Sequence, residues 1–411
     1  MKADPPYEVL IINCGSSSLK YAWLDAGTGI VRARGLVERI GEVGTSLRLE
    51  LDGTIIENTI PGADHGSALR ELVERCWPGG VIPSNLRAVG HRVVHGGEYF
   101  REPCLVDADV IAKIEMCAEL APLHNPANSL GIRIAMERFP SLPHVAVFDT
   151  AFHQTMPKQA YLYGVPYAWY TQHKVRRYGF HGTSHQFVAN EAARLLGRPI
   201  DDCQLVTAHL GNGCSVCAVR DGHSVETSMG LTPSEGLVMG TRSGDIDPNL
   251  TEFIALKTAK TSHEITDMIN RKSGLLGISE LSNDMRTLVA AAHTGNELAS
   301  LAIEIFCYRL ARQVLSMCAG LDRIDALVFT GGIGEHCVEV RAKTLQYLAF
   351  LRPEIDDVLN EAHGRDSHGR ITRDQSGKLL ALVVPTNEEW MIGRFALKLC
   401  QNLDLNQSEQ K

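Results

Sequence analysis

Three glycine-rich tips stand at the ends of apolar runs in this chain: CGSSSLK (14–20), HLGNGCS (209–215) and FTGGIGE (329–335). Glycine lets backbone N–H groups come close to phosphate oxygens, while serine hydroxyls and Lys20 add donors and charge. A single tip of this kind is what any tight hairpin turn needs, but three together point to a phosphorylated ligand. No G-x-x-x-x-G-K-[ST] occurs. No G-x-G-x-x-G falls between a strand and a helix either, so the P-loop and the dinucleotide-binding fold are both excluded.

Charged and imidazole side chains accompany the tips. The run HVAVFD (144–149) ends on Asp149, and α/β sheets place ligand-handling groups at the C-terminal ends of their strands. Asp149 could equally cap a helix. Arg92 in GHRVVHGGE (90–98) and Arg242 in MGTRSGDIDP (239–248) sit in glycine-punctuated segments, where arginine suits planar phosphate or carboxylate binding or else a structural ion pair. His181 and His185 in GFHGTSH have the spacing of a helical metal pair. The Glu of H-E-x-x-H is missing and Gly182 is expected to break a helix, so a hydrogen-bond donor to a charged substrate is the better reading. His124 in APLHNPAN could do the same work or cap a turn. PTNEEW (385–390) puts two acids where a helix begins, which suits either the helix dipole or one ligand of a Mg²⁺ shell.

These residues need elements to hold them. Residues 7–24 read as a strand, a Gly/Ser turn and a second strand alternating Leu19, Tyr21 and Trp23, a hairpin with a polar tip. Residues 204–220 repeat the arrangement with Gly15 against Gly211, Asn13 against His209 and Ser16 against Asn212, which predicts duplicated domains. Amphipathic helices are expected at about 66–77 and 107–120, the second with Asp107 or Asp109 as cap, and a long one at about 296–320. A strand over 325–335 runs into a glycine turn. A charged, loop-rich stretch (363–378) precedes a strand over 379–386 and a helix from about 388. The polar tail QNLDLNQSEQK should fray. Strands alternating with helices predict an α/β fold.

Composition narrows the field. With 411 residues, 44% of them hydrophobic, the chain can bury the cores of two or three domains. Asp and Glu number 48 against 40 Lys and Arg, and no basic run appears, so nucleic acid is not an expected partner. The opening MKADPPYEVLIINCG has too short an apolar run for a signal or a membrane span, predicting a cytoplasmic protein. Eleven cysteines, an odd count spread through apolar segments, read as reduced, buried thiols. Cys214 and Cys217, three apart on a strand, should face opposite ways and share neither metal nor disulfide.

In chain order, INCGSSSLK, GHRVVHGG, PLHNP, FDTAFH, YGFHGTSH, HLGNG, MGTRSGDIDP, FTGGIGE and PTNEE resemble the acetate and propionate kinase family over about residues 8–398. The resemblance implies an α/β fold of two duplicated ribonuclease-H-like domains, as in actin, sugar kinases and Hsp70, with a nucleotide cleft between them. Residues 1–150 would form the first domain, completed by a C-terminal helix of about 389–411. Residues 151–388 would form the second, with most of the nucleotide contacts. The implied reaction is reversible, Mg²⁺-dependent, in-line transfer of the γ-phosphoryl group of ATP to acetate, giving acetyl phosphate and ADP. A propionate or other short-chain fatty acid kinase is the alternative, and an ATP-regulated binding module the alternative from another class. A cytoplasmic homodimer serving acetyl-CoA biosynthesis, with Mn²⁺ able to replace Mg²⁺, is also implied.

Carried over by position, the resemblance makes Asn13 and Glu388 the metal-binding residues and Lys20 a phosphate contact. Arg92 would bind the substrate carboxylate, with Val93, Leu123, Phe180 and Pro233 around its methyl group. Asp149 would be the catalytic aspartate, and His181 and Arg242 would stabilise the transition state. The nucleotide loops would be His209, Leu210, Gly211, Asn212 and Gly213; Asp284, Met285 and Arg286; and Gly331, Gly332, Ile333, Gly334 and Glu335. Cys14, Cys214, Ser234 and Trp390 depart from the family pattern, and the two cysteines lie in phosphate loops, where thiol sensitivity is expected. Acetate is ionised at neutral pH and needs no base, so charge neutralisation should dominate catalysis. Asp149 is then expected to orient groups or to serve the metal shell.

Overall fold

Continuous apolar runs become strands covered on both faces. In the computed structural model, which describes residues 7–42 and 44–409, the chain forms two units, Met1–Phe152 with Asn387–Lys411, and His153–Thr386. The N-terminal unit holds β1 (Glu8–Cys14), β2 (Ser18–Asp25), β3 (Val31–Glu38), β4 (Ser46–Leu51), β5 (Thr54–Thr59), β6 (Leu86–Val93), β7 (Cys104–Leu105) and β8 (His144–Phe148). Their order is β5-β4-β3-β2-β1-β6-β8-β7, with β1, β6 and β8 mutually parallel.

Alternation along β1 sorts its side chains into two cores. Leu10 and Ile12 join Leu69 and Leu72 of the helix His65–Cys76, with Trp77 and Phe139. Val9 and Ile11 join Ala88, Val145 and Val147, against Ile392, Ala396 and Cys400 of the helix Glu388–Glu409. A two-residue side-chain period makes each face a separate apolar layer. Gly90 lets the last helix come close, because a Cβ there would stand 2.6 Å from Ile392 Cγ2 and 2.9 Å from Ile11 Cδ1.

The C-terminal unit repeats the plan with β9 (Gln204–Leu210), β10 (Cys214–Arg220), β11 (His223–Thr227), β12 (Ala326–Thr330) and β13 (Ala381–Val383). The order β11-β10-β9-β12-β13 matches β3-β2-β1-β6-β8, with the same antiparallel and parallel pairings. Asn13 and His209 each hold the penultimate place in the first strand of their sheet. The fold is α/β and built from two duplicated units. Among the described residues, no helix is long and apolar enough to cross a membrane.

Several expectations change. The strand expected over 325–335 is only Ala326–Thr330, and a short helix, Gly331–His336, follows it in place of a glycine turn. Gly182 does not break a helix but opens one, Gly182–Leu196, because His181 takes the left-handed conformation (φ 57°) at its N-cap. The polar tail does not fray within the described residues, being helical through Glu409, while residues 410–411 lie outside them. The last strand is only Ala381–Val383. The helix at 107–120 is Ala108–Met116, capped by Asp107, with a short 3-10 turn after it.

All eleven cysteines are free and none is exposed. Burial pushes Cys14 and Cys214 up to about 12, which disfavours the thiolate on which thiol sensitivity depends. We predict that Gly90→Ala, by pressing the last helix off the sheet, lowers unfolding stability by about 1–3 kcal/mol, measured by urea denaturation.

Candidate active site

In the N-terminal unit, three parallel strands deliver polar groups to one edge. Asn13 is the penultimate residue of β1, Arg92 the penultimate residue of β6, and Asp149 follows β8. The Asp149 N–H donates to the Val93 carbonyl at 2.9 Å, extending the ladder and pinning the carboxylate beside Arg92. Arg92 meets it with two hydrogen bonds, Nε to Oδ1 at 3.0 Å and Nη2 to Oδ2 at 2.7 Å. Asp149 is only 2% exposed, so this fork replaces the water it has lost. Its proximity also raises the Arg92 pKa.

The last helix brings the second acid. Glu388 opens it and lies 3.8 Å from Arg92 Nε, whereas Glu389 pairs with Arg34 on β3 at 2.9 Å. The two neighbouring acids thus part company, and only Glu388 joins the cluster. Desolvation pushes the Glu388 pKa up and Asp149 adds to this, while Arg92 and Lys20 oppose it. Lys20 stands opposite Asn13 on β2 and is exposed.

Buried asparagines that sequence reasoning missed tie these strand ends together. Asn128 Nδ2 donates to the Cys14 carbonyl at 2.8 Å and its Oδ1 accepts from Val94 N–H at 3.0 Å. Asn125 Oδ1 accepts from His95 N–H at 3.1 Å. The signal was in PLHNPANS, where polar residues sit on the inward face of the helix Asn125–Arg138. Val93 is wholly buried in the core with Phe100 and Phe148, and Leu123 is 61% exposed.

In the C-terminal unit, the HLGNG tip gathers two more predicted residues. A Cβ on Gly213 would lie 3.4 Å from Arg242 Nη1 and 3.5 Å from His181 Nε2, so the glycine keeps both within reach of the loop. His181 stacks on His209 with ring centroids 4.3 Å apart, and its Nδ1 meets Ser215 Oγ at 2.9 Å. Arg242 Nη1 donates to the Pro233 carbonyl at 3.1 Å. Among the described residues no carboxylate pairs with Arg242, and burial lowers its pKa. Phe180 is buried, its carbonyl 3.0 Å from His153 Nε2.

Beside this tip is a cavity of about 880 Å³, lined by Gly211 and Asn212, by Asn283 to Arg286, and by Gly332, Ile333 and His336 to Glu339. Its volume is in the range of small-molecule and cofactor sites. Asp284 caps the helix Met285–His293, and hydrogen bonds from Arg286 hold its carboxyl down at about 2. His209, Leu210, Gly213, Gly331, Gly334 and Glu335 do not line the cavity. Glu335 instead accepts from Gly331 N–H at 2.9 Å and Thr386 N–H at 3.1 Å, holding the loop's shape. Gly331 (φ 74°) leaves no room for a side chain, because a Cβ would meet the Leu210 carbonyl at 2.8 Å. His293, His336 and Glu339 were not anticipated; His293 and His336 end the helices that begin in the predicted loops 284–286 and 331–335, and Glu339 lies on the helix after them.

The profile of the Acetokinase family matches residues 8–394. The chain belongs to the acetokinase family. An acetate kinase from Chromobacterium violaceum is 50% identical over 391 residues, spanning 95% of this chain and 98% of that protein. Among solved structures, a propionate kinase from Francisella tularensis superposes with a TM-score of 0.88 at 43% identity, covering 94% of this chain and 98% of that one. An acetate kinase from Porphyromonas gingivalis does so with a TM-score of 0.88 at 41% identity, over 95% and 99%. Acetokinase membership makes the chain a kinase, with a carboxyl group as phosphoryl acceptor, and makes ATP and ADP its co-substrates.

The two arginines of this acetokinase should answer differently to the same change. Arg92→Met strands the buried Asp149 carboxylate and should lower stability by about 3 kcal/mol, whereas Arg242→Met removes a desolvated cation that no carboxylate compensates and should leave stability within about 1 kcal/mol of wild type or raise it. Urea denaturation of both variants checks this.

Proposed function

We propose that the chain transfers the γ-phosphoryl group of ATP to acetate, giving acetyl phosphate and ADP in a reversible, direct in-line displacement. One observation carries the reading: Arg242 is half-buried and, among the described residues, has no carboxylate partner, beside His181 and next to a loop that lines a nucleotide-sized cavity. An arginine so placed favours an anion that arrives from outside. Bringing a carboxylate up to a polyphosphate is chiefly a problem of like charges, and positive groups must solve it.

Arg92 takes the acetate carboxylate, and Asp149, already holding the guanidinium through two bonds, orients it. Arg242 and His181 meet the equatorial oxygens of the moving phosphoryl group. Lys20 and the amides of the loops 209–213 and 331–335 meet the nucleotide phosphates, with Asp284 to Arg286 forming the far wall. Val93, Leu123, Phe180 and Pro233 surround the methyl group. Asn13 and Glu388 suit Mg²⁺ or Mn²⁺, which prefer hard oxygen donors, and a carboxyl lifted by desolvation and by Asp149 favours an added cation. Held by Asn13 and Glu388, such a cation would add to the neutralisation of the nucleotide phosphates. A cytoplasmic homodimer serving acetyl-CoA biosynthesis accords with the family resemblance, and the free cysteines accord with a reducing compartment.

The second reading, a propionate kinase, is favoured by the likeness to the Francisella tularensis protein. One methylene is worth only about 1–3 kcal/mol in such a pocket, so preference should be partial. Trapping the acyl phosphate as a hydroxamate with ATP and Mg²⁺ should give most product with acetate, less with propionate and least with butyrate. Arg242→Ala should lower kcat by about 10²–10³, and Arg92→Lys should raise KM for acetate. Product greatest with propionate would favour the second reading. No product with any of the three acids would favour an ATP-regulated binding module.

A further inference from the structure

A line of hydrogen bonds ends on His181. Thr207 Oγ1 meets His185 Nδ1 at 2.7 Å, His185 Nε2 meets Ser215 Oγ at 2.7 Å, and Ser215 Oγ meets His181 Nδ1 at 2.9 Å. Thr207, His185 and Ser215 are all fully buried, so protein groups must satisfy them. Each hydroxyl carries one hydrogen and a neutral imidazole carries one, which gives the line a direction.

The direction follows from its far end. The other acceptor near Thr207 Oγ1 is the Cys217 carbonyl at 3.5 Å, a long contact beside the 2.7 Å to His185. Placed on the shorter contact, the Thr207 hydrogen goes to His185 Nδ1; placed on the Cys217 carbonyl, it would reverse the whole line. Burial, with His153 and His209 adding to it, holds the His185 pKa well below the ordinary imidazole range, so the ring is neutral and its single hydrogen sits on Nε2. That hydrogen goes to Ser215 Oγ, and the Ser215 hydrogen goes to His181 Nδ1. His181 must then carry its own hydrogen on Nε2, which would lie 3.5 Å from a Cβ on Gly213, the position that Arg242 Nη1 also approaches.

We propose that Thr207, His185 and Ser215 are positioning residues that fix His181 as the Nε2–H tautomer and aim that donor at the transferring phosphoryl group. This rests on the role proposed for His181 above. The left-handed backbone of His181 and its stacking on His209 orient the ring. The hydroxyl line sets which nitrogen bears the hydrogen, as second-shell partners do for metal-bound imidazoles.

Two-bond ¹H–¹⁵N spectra of the full chain labelled at histidine nitrogens, with His181 assigned by His181→Gln, read the tautomer directly. Wild type should show Nε2–H. Thr207→Val, which keeps the side-chain shape, and Ser215→Ala should shift His181 towards Nδ1–H. Both should lower kcat by about 10- to 100-fold with KM for acetate and for MgATP unchanged, and Thr207→Ser should restore both signals. An Nδ1–H signal in wild type, or full kcat in Thr207→Val, would overturn the proposal. Loss of activity in His181→Ala beside full activity in Thr207→Val would sink the relay alone. Full activity in His181→Ala would remove the role of His181 and the relay with it.

Discussion

A carboxylate with 2% exposure stays charged only where a cation and hydrogen bonds replace water, and the Arg92 fork on Asp149 meets that requirement at the edge of the N-terminal sheet. Much else follows from this pair. The fork spans the neighbouring strands β6 and β8, whose parallel register sets the two side chains side by side. The bond from Asp149 N–H to the Val93 carbonyl keeps that register past the end of β8. Glu388 then faces a guanidinium already shared with another acid, and burial, with Asp149 adding to it, raises its pKa against the pull of Arg92. Taking two opposite charges from water is tolerable when geometry is this favourable; adding a second carboxylate leaves the edge inclined towards cations.

The same five-strand order serves a different end in the C-terminal unit. Where the first sheet finishes in Asn13, Arg92 and Asp149, the second finishes in His209 and the glycine segments 211–213 and 331–334. A duplicated ladder supplies matching strand ends, and the residues placed on them divide the labour between charge and backbone amides. Placing ligand-handling groups where parallel strands end is the general habit of α/β sheets. Here it operates twice in one chain.

How much of this the sequence disclosed depended on how local the signal was. The hairpins β1–β2 and β9–β10 were readable because apolar alternation and a glycine tip lie within some twenty residues, and their likeness revealed the duplication. The motifs disclosed the family and hence the candidate residues. What stayed hidden was set by distant parts of the chain. Nothing local to Arg92 shows that it rides on a strand, since Gly90, His91 and Arg92 together interrupt the apolar run. Gly182 reads as a helix breaker because propensity cannot foresee a left-handed histidine before it. Asn125 and Asn128 look like loop residues until the strand ends they bind are in place. The hydroxyl line to His181 joins a helix to two strands, and no spacing rule announces it.

The N-terminal unit is discontinuous: its second core includes Ile392, Ala396 and Cys400 from the end of the chain. During synthesis, from N- to C-terminus, one face of its sheet must wait while the entire C-terminal unit is made. Val9, Ile11, Ala88, Val145 and Val147 would meanwhile present an apolar surface. The unit translated first has all its strands early but gains its covering helix last, after the other unit has been made in full, reversing the usual order in which nascent domains mature. Synthesis of the last helix, rather than of the N-terminal strands, brings Glu388 to the strand edge that carries Arg92 and Asp149. A truncated or stalled product lacking the last helix would carry a sticky sheet and an incomplete acidic cluster, a natural target for quality control.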